Sequence, residues 1–98
     1  MRLHKGDMVK HFKRETLTGE QLYDNFYYYV YRIIDFAKHT ETGELLVIYE
    51  ALYDGEEIGH DDLHKGDKFA RPFDIFMSEV DHEKYPNIKQ KYRFEKIS

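Results

Sequence analysis

The chain has 98 residues, room for one domain with one core, and 41% of them are hydrophobic, including 9 Tyr and 7 Phe, a composition that excludes a disordered chain. It has no cysteine, which excludes disulfides and thiolate chemistry and is typical of a cytoplasmic protein. Its net charge of −4 is divided along the sequence, acidic over residues 39–83 and basic over residues 84–98, and without a long apolar stretch we expect neither a signal peptide nor a membrane span.

The first predicted strand covers residues 7–13 and follows a turn at Lys5-Gly6. The five residues from Leu3 to Asp7 recur from Leu63 to Asp67. A match of five residues is too short to indicate duplicated domains, so we interpret it as one turn chemistry used twice. Residues 14–26, which follow the first strand, are expected to form a long loop.

A β-hairpin is the clearest prediction, with strands at residues 27–38 and 44–53 that are rich in β-branched and aromatic residues. Gly43 suits the left-handed position that ends a short hairpin loop. Because side chains alternate along a strand, two faces are expected on the second strand. One face holds Val47, Tyr49 and Ala51, and the other holds Leu46, Ile48, Glu50 and Leu52. We expect this hairpin to form the centre of the sheet.

The remaining sequence predicts a second long loop, two short strands and one helical turn. Residues 54–67 form an acidic loop, and residues 68–71 form a strand after it. Pro72 presets φ for a helical turn over residues 72–78, which has an apolar side. Residues 92–96 alternate imperfectly, as is typical of an edge strand. These elements predict a mostly β fold with five strands and one short helical turn, in one domain over residues 1–98.

Five short motifs follow one another along the chain. They are His11-Phe12-Lys13, residues 37–44, residues 46–53, Arg71-Pro72 with Phe76, and Arg93-Phe94. This series resembles a small bacterial domain family, the domain-of-unknown-function family numbered sixteen fifty-three, over nearly the whole chain. The resemblance implies an SH3-like barrel and a bacterial cytoplasmic protein, and it brings no established activity. The chain departs from the family in an insertion at residues 14–25, a longer acidic loop, and Glu50 where glutamine is common.

Missing residues exclude several enzyme classes. Ser78 and Ser98 lie outside any nucleophile elbow, and the six glycines form neither a dinucleotide motif nor a phosphate-binding loop. We expect no cofactor. His60 and His64, four residues apart and next to two aspartates, come nearest to a metal motif. They lie in a glycine-flanked loop without a clear third ligand, so we predict no metal there and a mobile, solvated loop.

Aromatic residues are concentrated in the hairpin: Phe26, Tyr27, Tyr28, Tyr29, Tyr31, Tyr49 and Tyr53. One core cannot accept both faces of a strand, so some rings should stay exposed. Exposed rings would form a platform for stacked bases or a proline-rich peptide, and the alternative is core or rim packing. Nucleic acid is the less favoured partner, because only the basic tail gathers cations, and a solvated edge explains that tail equally well.

The predicted site is a cleft at one rim of the fold. Strand ends at Lys13, Tyr53 and Arg71 each adjoin a long loop or the helical turn, so they are expected to converge. His11 shares a strand face with Lys13, and Glu50 is a charge among apolar neighbours. We therefore expect His11, Lys13, Glu50, Tyr53 and Arg71 to border one cleft for an anion or polar ligand. The competing hypothesis is a structural ion pair between Glu50 and Arg71.

Two functions remain open. We favour a small cytoplasmic binding module that presents Tyr, Arg and His groups to a peptide, a nucleic-acid segment or a small polar ligand, away from any membrane. The alternative is a small hydrolase-type enzyme with Glu50 as base, His11 as acid and Arg71 as anion holder. A concave pocket holding all three residues would favour the enzyme, and a flat aromatic face would favour the module.

Overall fold

A computed structural model describes residues 2–97, in which five strands form one antiparallel sheet. The strands are β1 (Met8–His11), β2 (Val30–Lys38), β3 (Leu45–Ala51), β4 (Lys68–Pro72) and β5 (Phe94–Lys96). They are ordered β4-β3-β2-β1-β5 across the sheet. This confirms the mostly β class with five strands. Within residues 2–97 no ladder joins the edge strands β4 and β5, so the sheet is open and the ladders do not show a closed barrel.

The predicted hairpin of β2 and β3 lies at the centre of the sheet, as expected. The predicted alternation along β3 is also confirmed, because Val47, Tyr49 and Ala51 are buried. The start of β2 was predicted too early. Residues 27–29 form a turn instead of a strand, and Tyr29 has φ +62°, a left-handed conformation that cannot continue an extended strand.

The two copies of the Leu-His-Lys-Gly-Asp sequence form the same turn. In the first, the Gly6 N–H donates to the Ile33 carbonyl at 2.7 Å and the Ile33 N–H donates to the Asp7 carbonyl at 2.8 Å. In the second, Gly66 and Asp67 make the same pair of bonds with Ala51, at 2.8 and 2.9 Å. Both glycines have φ near +90°, a conformation that favours a residue without Cβ. One turn chemistry therefore starts both β1 and β4.

The long loop predicted over residues 14–26 is instead largely helical. A 3-10 helix (Phe12–Thr16) is followed by helix α1 (Gly19–Asp24). Thr18 and Gln21 form a capping box, in which each side chain accepts the other residue's backbone N–H. Helix α1 buries none of its residues, so local capping rather than an apolar face defines it.

The predicted helical turn after Pro72 is present as helix α2 (Phe73–Phe76), and a further 3-10 helix (Glu56–Ile58) lies in the acidic segment. Phe76 is fully buried and stacks on Phe94 with ring centroids 4.1 Å apart and planes nearly parallel. This stack joins α2 to the edge strand β5. No helix within the described residues has the length and apolar character needed to cross a membrane.

Candidate ligand-binding site

A cavity of about 230 Å³ opens on the buried face of the sheet. Its walls are largely aromatic, and its tyrosines are Tyr29, Tyr31, Tyr49 and Tyr53. Lys13 and Arg71 are the cations in its lining, and no Asp or Glu of residues 2–97 lines it. We call this space the tyrosine cavity. It combines apolar ring surface with hydroxyl groups and positive charge.

Four of the five predicted site residues line the tyrosine cavity: His11, Lys13, Tyr53 and Arg71. Strand register explains part of this convergence. His11 is paired with Phe94 across β1 and β5, and Arg71 is paired with the buried Val47 across β4 and β3. Directly paired residues project from the same face of a sheet, so His11 and Arg71 both project toward the core.

Glu50, the fifth predicted residue, does not line the cavity. It alternates with the buried Tyr49 and Ala51, so it projects from the opposite face of β3. There it lies between Arg32 and Lys68 on the neighbouring strands and pairs with the Lys68 ammonium at 3.8 Å. The predicted Glu50–Arg71 ion pair is therefore wrong. The hydrolase set of Glu50, His11 and Arg71 does not assemble either.

Arg71 is held by a tyrosine instead of a carboxylate. Its Nε donates to the Tyr49 hydroxyl at 3.2 Å, and its guanidinium carbon lies 5.9 Å from the centroid of the Phe94 ring. None of the ion pairs between residues 2–97 includes Arg71 or Lys13. Both positive charges at the cavity therefore lack a protein counter-charge in this part of the chain.

His11 is a neutral hydrogen-bond donor at the cavity. Desolvation, assisted by the positive charge of Lys13, lowers the pKa of His11 from 6.5 to about 3. Its Nδ1 accepts the Lys13 backbone N–H at 3.1 Å. A neutral imidazole whose Nδ1 accepts must carry its proton on Nε2. His11 therefore keeps an N–H at Nε2 and adds no charge.

The hydroxyl groups of Tyr31 and Tyr53 form a buried pair with the two oxygens 2.6 Å apart. Desolvation raises the pKa of Tyr31 to about 12 and also raises the pKa of Tyr53, so both remain protonated at neutral pH. Only one of the two hydroxyl protons can lie between the oxygens. The other proton has no acceptor among residues 2–97, which leaves it available to a ligand.

Tyr29 and His60 complete the cavity wall, and sequence analysis did not assign them to it. Their Oη and Nε2 atoms are 3.1 Å apart. The backbone N–H of His60 also donates to the Gly55 carbonyl at 2.8 Å. Ile58 and Leu63 pack against the core. Ile58, His60 and Leu63 therefore attach the segment over residues 54–67 to the core, while most of its other residues are exposed, as predicted for a solvated loop. Ile58 and Leu63, apolar residues in an acidic run, were the signal for this anchoring.

His60 and His64 face different surroundings. His60 lines the tyrosine cavity, whereas His64 lines a separate surface cavity with several carboxylates. Across the described part of the chain, no three His, Asp or Glu side chains are grouped as metal ligands. His60 and His64 lie beyond the 3-10 helix, which ends at Ile58, so their spacing of four residues does not place them on one helical face.

Most of the hairpin rings pack inward. Tyr28, Tyr29, Tyr31, Tyr49 and Tyr53 are buried, whereas Phe26 and Tyr27 are 50% and 43% exposed. The expectation that some rings stay at the surface is thus met by two residues of the turn before β2. The rings around the cavity form a concave, partly polar space, not the flat platform considered from the sequence.

Comparison with known proteins assigns the chain to a family. The family model described as "Protein of unknown function (DUF1653)" matches residues 7–96. No curated protein and no solved structure matches the chain. The match includes every strand and all the residues of the tyrosine cavity. The chain therefore belongs to DUF1653, a family of proteins of unknown function.

Proposed function

We propose that the protein is a small binding module that holds a small anionic ligand in the tyrosine cavity. One observation carries this proposal: Lys13 and Arg71 line the cavity and no carboxylate of residues 2–97 does, in a chain whose net charge is −4. Two cations beside low-dielectric walls create a local positive potential that attracts anions. A bacterial cytoplasmic setting is part of the proposal, supported by the motif resemblance and by the lack of cysteine.

The size of the cavity favours a small ligand over a peptide. Pockets for drug-sized ligands measure about 300–1,000 Å³, and the tyrosine cavity measures about 230 Å³. It can therefore enclose a ring-sized body with its polar substituents. The rings of Tyr49 and Phe69, whose centroids are 5.6 Å apart, provide apolar contact area for a planar group.

The composition of the lining favours binding over hydrolysis. The hydrolase hypothesis needs a carboxylate base, and Glu50 lies on the other face of the sheet. His11, the acid of that hypothesis, is neutral because burial lowers its pKa to about 3. A group with this pKa holds no transferable imidazolium proton at neutral pH. The cavity thus supplies fixed cations and hydroxyl donors, which suits recognition of an anion.

A thermal-shift comparison of two probes of nearly equal shape tests the proposal. Benzoate is an anion and benzamide is neutral, so the difference between them isolates the charge of the ligand. We expect benzoate to raise the melting temperature progressively with its concentration L, with a stabilisation that follows RT ln(1 + L/Kd), and benzamide to have a smaller effect. Lys13→Met should weaken benzoate binding, and Lys38→Met, on an exposed residue outside the cavity, should not. Equal shifts with both probes, or equal binding by both variants, would disprove the proposal.

A further inference from the structure

A second cavity, of about 380 Å³, adjoins the tyrosine cavity and shares His11, Lys13 and Arg71 with it. Its remaining walls include Lys84 and Arg93 from the C-terminal part of the chain. We call this space the basic cavity. Since three residues line both spaces, the two cavities are adjacent, with Lys13 and Arg71 at their common border, and we call the two together the cleft.

Positive charge dominates the basic cavity. Lys13, Arg71, Lys84 and Arg93 line it, and Asp81 is its one carboxylate among residues 2–97. None of these four cations takes part in an ion pair within the described chain. Four uncompensated cations around one space, in an acidic protein, favour a ligand group with more than one negative charge.

The single carboxylate of the basic cavity has a structural role. Oδ1 of Asp81 accepts the backbone N–H groups of Glu83 and Lys84, at 3.0 and 3.2 Å. These bonds fix the turn that carries Lys84 into the cavity wall. Asp81 therefore positions Lys84 in the cleft, while its own Oδ1 atom is directed toward the backbone of that turn.

The two arginines have free guanidinium ends. Nε of Arg71 donates to Tyr49, and Nε of Arg93 donates to Ser78 Oγ at 3.4 Å. The terminal nitrogens of both side chains make no hydrogen bond with another residue of the 2–97 range. Two guanidinium forks and two ammonium groups match the several oxygens of a phosphate monoester, which arginine binds in a bidentate manner.

The tyrosine cavity requires heteroatoms in the other part of the ligand. One proton of the Tyr31–Tyr53 hydroxyl pair and the Nε2–H of His11 are donors without an acceptor among residues 2–97. A purely hydrocarbon ring would displace water from these donors and leave them unpaired, which weakens binding. A planar heterocycle satisfies them and still contacts the aromatic walls.

We propose that the cleft binds a nucleotide unit, with its base in the tyrosine cavity and its phosphate monoester in the basic cavity. This inference rests on the proposed function, because it uses the same anion-binding cavity. Side chains hold the phosphate here, in place of the glycine-rich backbone cradle that the sequence lacks. Two sources carry this chemistry: a free nucleoside 5′-monophosphate, and the 5′-phosphorylated end of a nucleic-acid strand.

Isothermal titration calorimetry with matched probes tests the inference. The probes are the four nucleoside 5′-monophosphates, the corresponding nucleosides, inorganic phosphate, and a tetranucleotide with either a 5′-phosphate or a 5′-hydroxyl. We expect at least one monophosphate to bind about tenfold or more tighter than its nucleoside and than inorganic phosphate. Tighter binding of the 5′-phosphorylated tetranucleotide than of its 5′-hydroxyl counterpart would identify a strand end as the source. Failure of the phosphorylated tetranucleotide to bind would identify the free nucleotide.

Variants of the basic cavity separate this inference from the proposed function. Arg93→Met and Lys84→Met should each weaken monophosphate binding about tenfold and leave benzoate binding unchanged, because benzoate fits within the tyrosine cavity. Arg93→Lys keeps the charge without the planar fork and should have an intermediate affinity. Lys89→Met, an exposed neighbour outside both cavities, is the control.

The outcomes are distinct. Benzoate binding without monophosphate binding, or a monophosphate no tighter than its nucleoside, would overturn the nucleotide inference and leave the proposed function intact. Unchanged monophosphate affinity in both Arg93→Met and Lys84→Met would also overturn it. Failure of benzoate and monophosphates alike would disprove both proposals.

Discussion

The Nε of Arg71 donates to the hydroxyl of Tyr49 across strands β4 and β3, at 3.2 Å. Charge complementarity alone had suggested Glu50 as the partner of Arg71, and Tyr49 is the partner instead. It fixes the stem of Arg71 on the buried face while the far end of the guanidinium stays free. An arginine held by a neutral partner keeps its full charge for a ligand, whereas an arginine in an ion pair does not.

Replacing Arg71 should therefore affect ligand binding more than folding. We expect Arg71→Met to weaken benzoate binding about tenfold and to cost about 1 kcal/mol of unfolding free energy, since it removes one hydrogen bond and leaves no unpaired carboxylate. Calorimetry and urea denaturation measure the two effects. Glu50→Gln, on the outer face, should leave binding unchanged. A large stability loss with normal binding in Arg71→Met would favour a purely structural role.

The left-handed backbone of Tyr29 predicts that a glycine variant is more stable than an alanine variant at this position, the reverse of the usual order. Tyr29→Gly and Tyr29→Ala both remove the ring, but only glycine adopts φ +62° without steric cost. We expect the glycine variant to be more stable by about 1 kcal/mol, the left-handed penalty less the extra chain entropy of glycine. At Tyr23, an exposed residue in helix α1, alanine should be the more stable of the two. The same order at both positions would contradict this account.

His11 predicts a stability loss in acid. Its folded-state pKa is lowered to about 3 from 6.5, so below pH 6.5 the unfolded chain binds a proton that the native state does not. Stability should fall as the pH decreases from 6.5 toward 3, by about 1.4 kcal/mol per pH unit from this group. His11→Asn removes the titration, and its side-chain oxygen can still accept the Lys13 N–H. Chemical denaturation from pH 7 to pH 4 should give a shallower slope for the variant, and parallel curves would refute the assignment.

The twin turns predict equal costs at two distant positions of the sequence. Gly6→Ala and Gly66→Ala should each destabilise the protein by about 1–2 kcal/mol, because both residues have φ near +90°. Gly19→Ala is the control, since the first residue of α1 has open space around an added Cβ. This third variant should be neutral or slightly stabilised. Thermal unfolding measures all three, and a marked difference between Gly6→Ala and Gly66→Ala would show that the turns are not equivalent.

The parts of the fold that follow local rules were predictable from the sequence. Alternation placed Val47 and Tyr49 in the core, and Pro72 marked the short helix α2. Helix α1 was missed although Thr18 and Gln21 spell its capping box, because six residues without a buried side chain give no apolar periodicity to detect.

The candidate site was predictable only where strand ends determined it. His11 and Arg71 were found because both lie on strands that border the same face. Glu50 was misplaced because its neighbours along β3 are apolar, whereas its partners across the sheet, Arg32 and Lys68, depend on register. The positive φ of Tyr29 has no local signal, since it accompanies a ring packed by tertiary contacts.

Both copies of the Leu-His-Lys-Gly-Asp turn make the same main-chain contacts with the sheet: one copy bonds the N–H and the C=O of Ile33, and the other bonds those of Ala51. These main-chain bonds do not depend on the side chain of the residue they pair with, so the same turn sequence can dock on two different strands. A slip of one residue would break both bonds and turn every side chain of the docked strand to the wrong face. The chain thus contains two copies of a turn that fixes strand register, one before each strand that flanks the central hairpin.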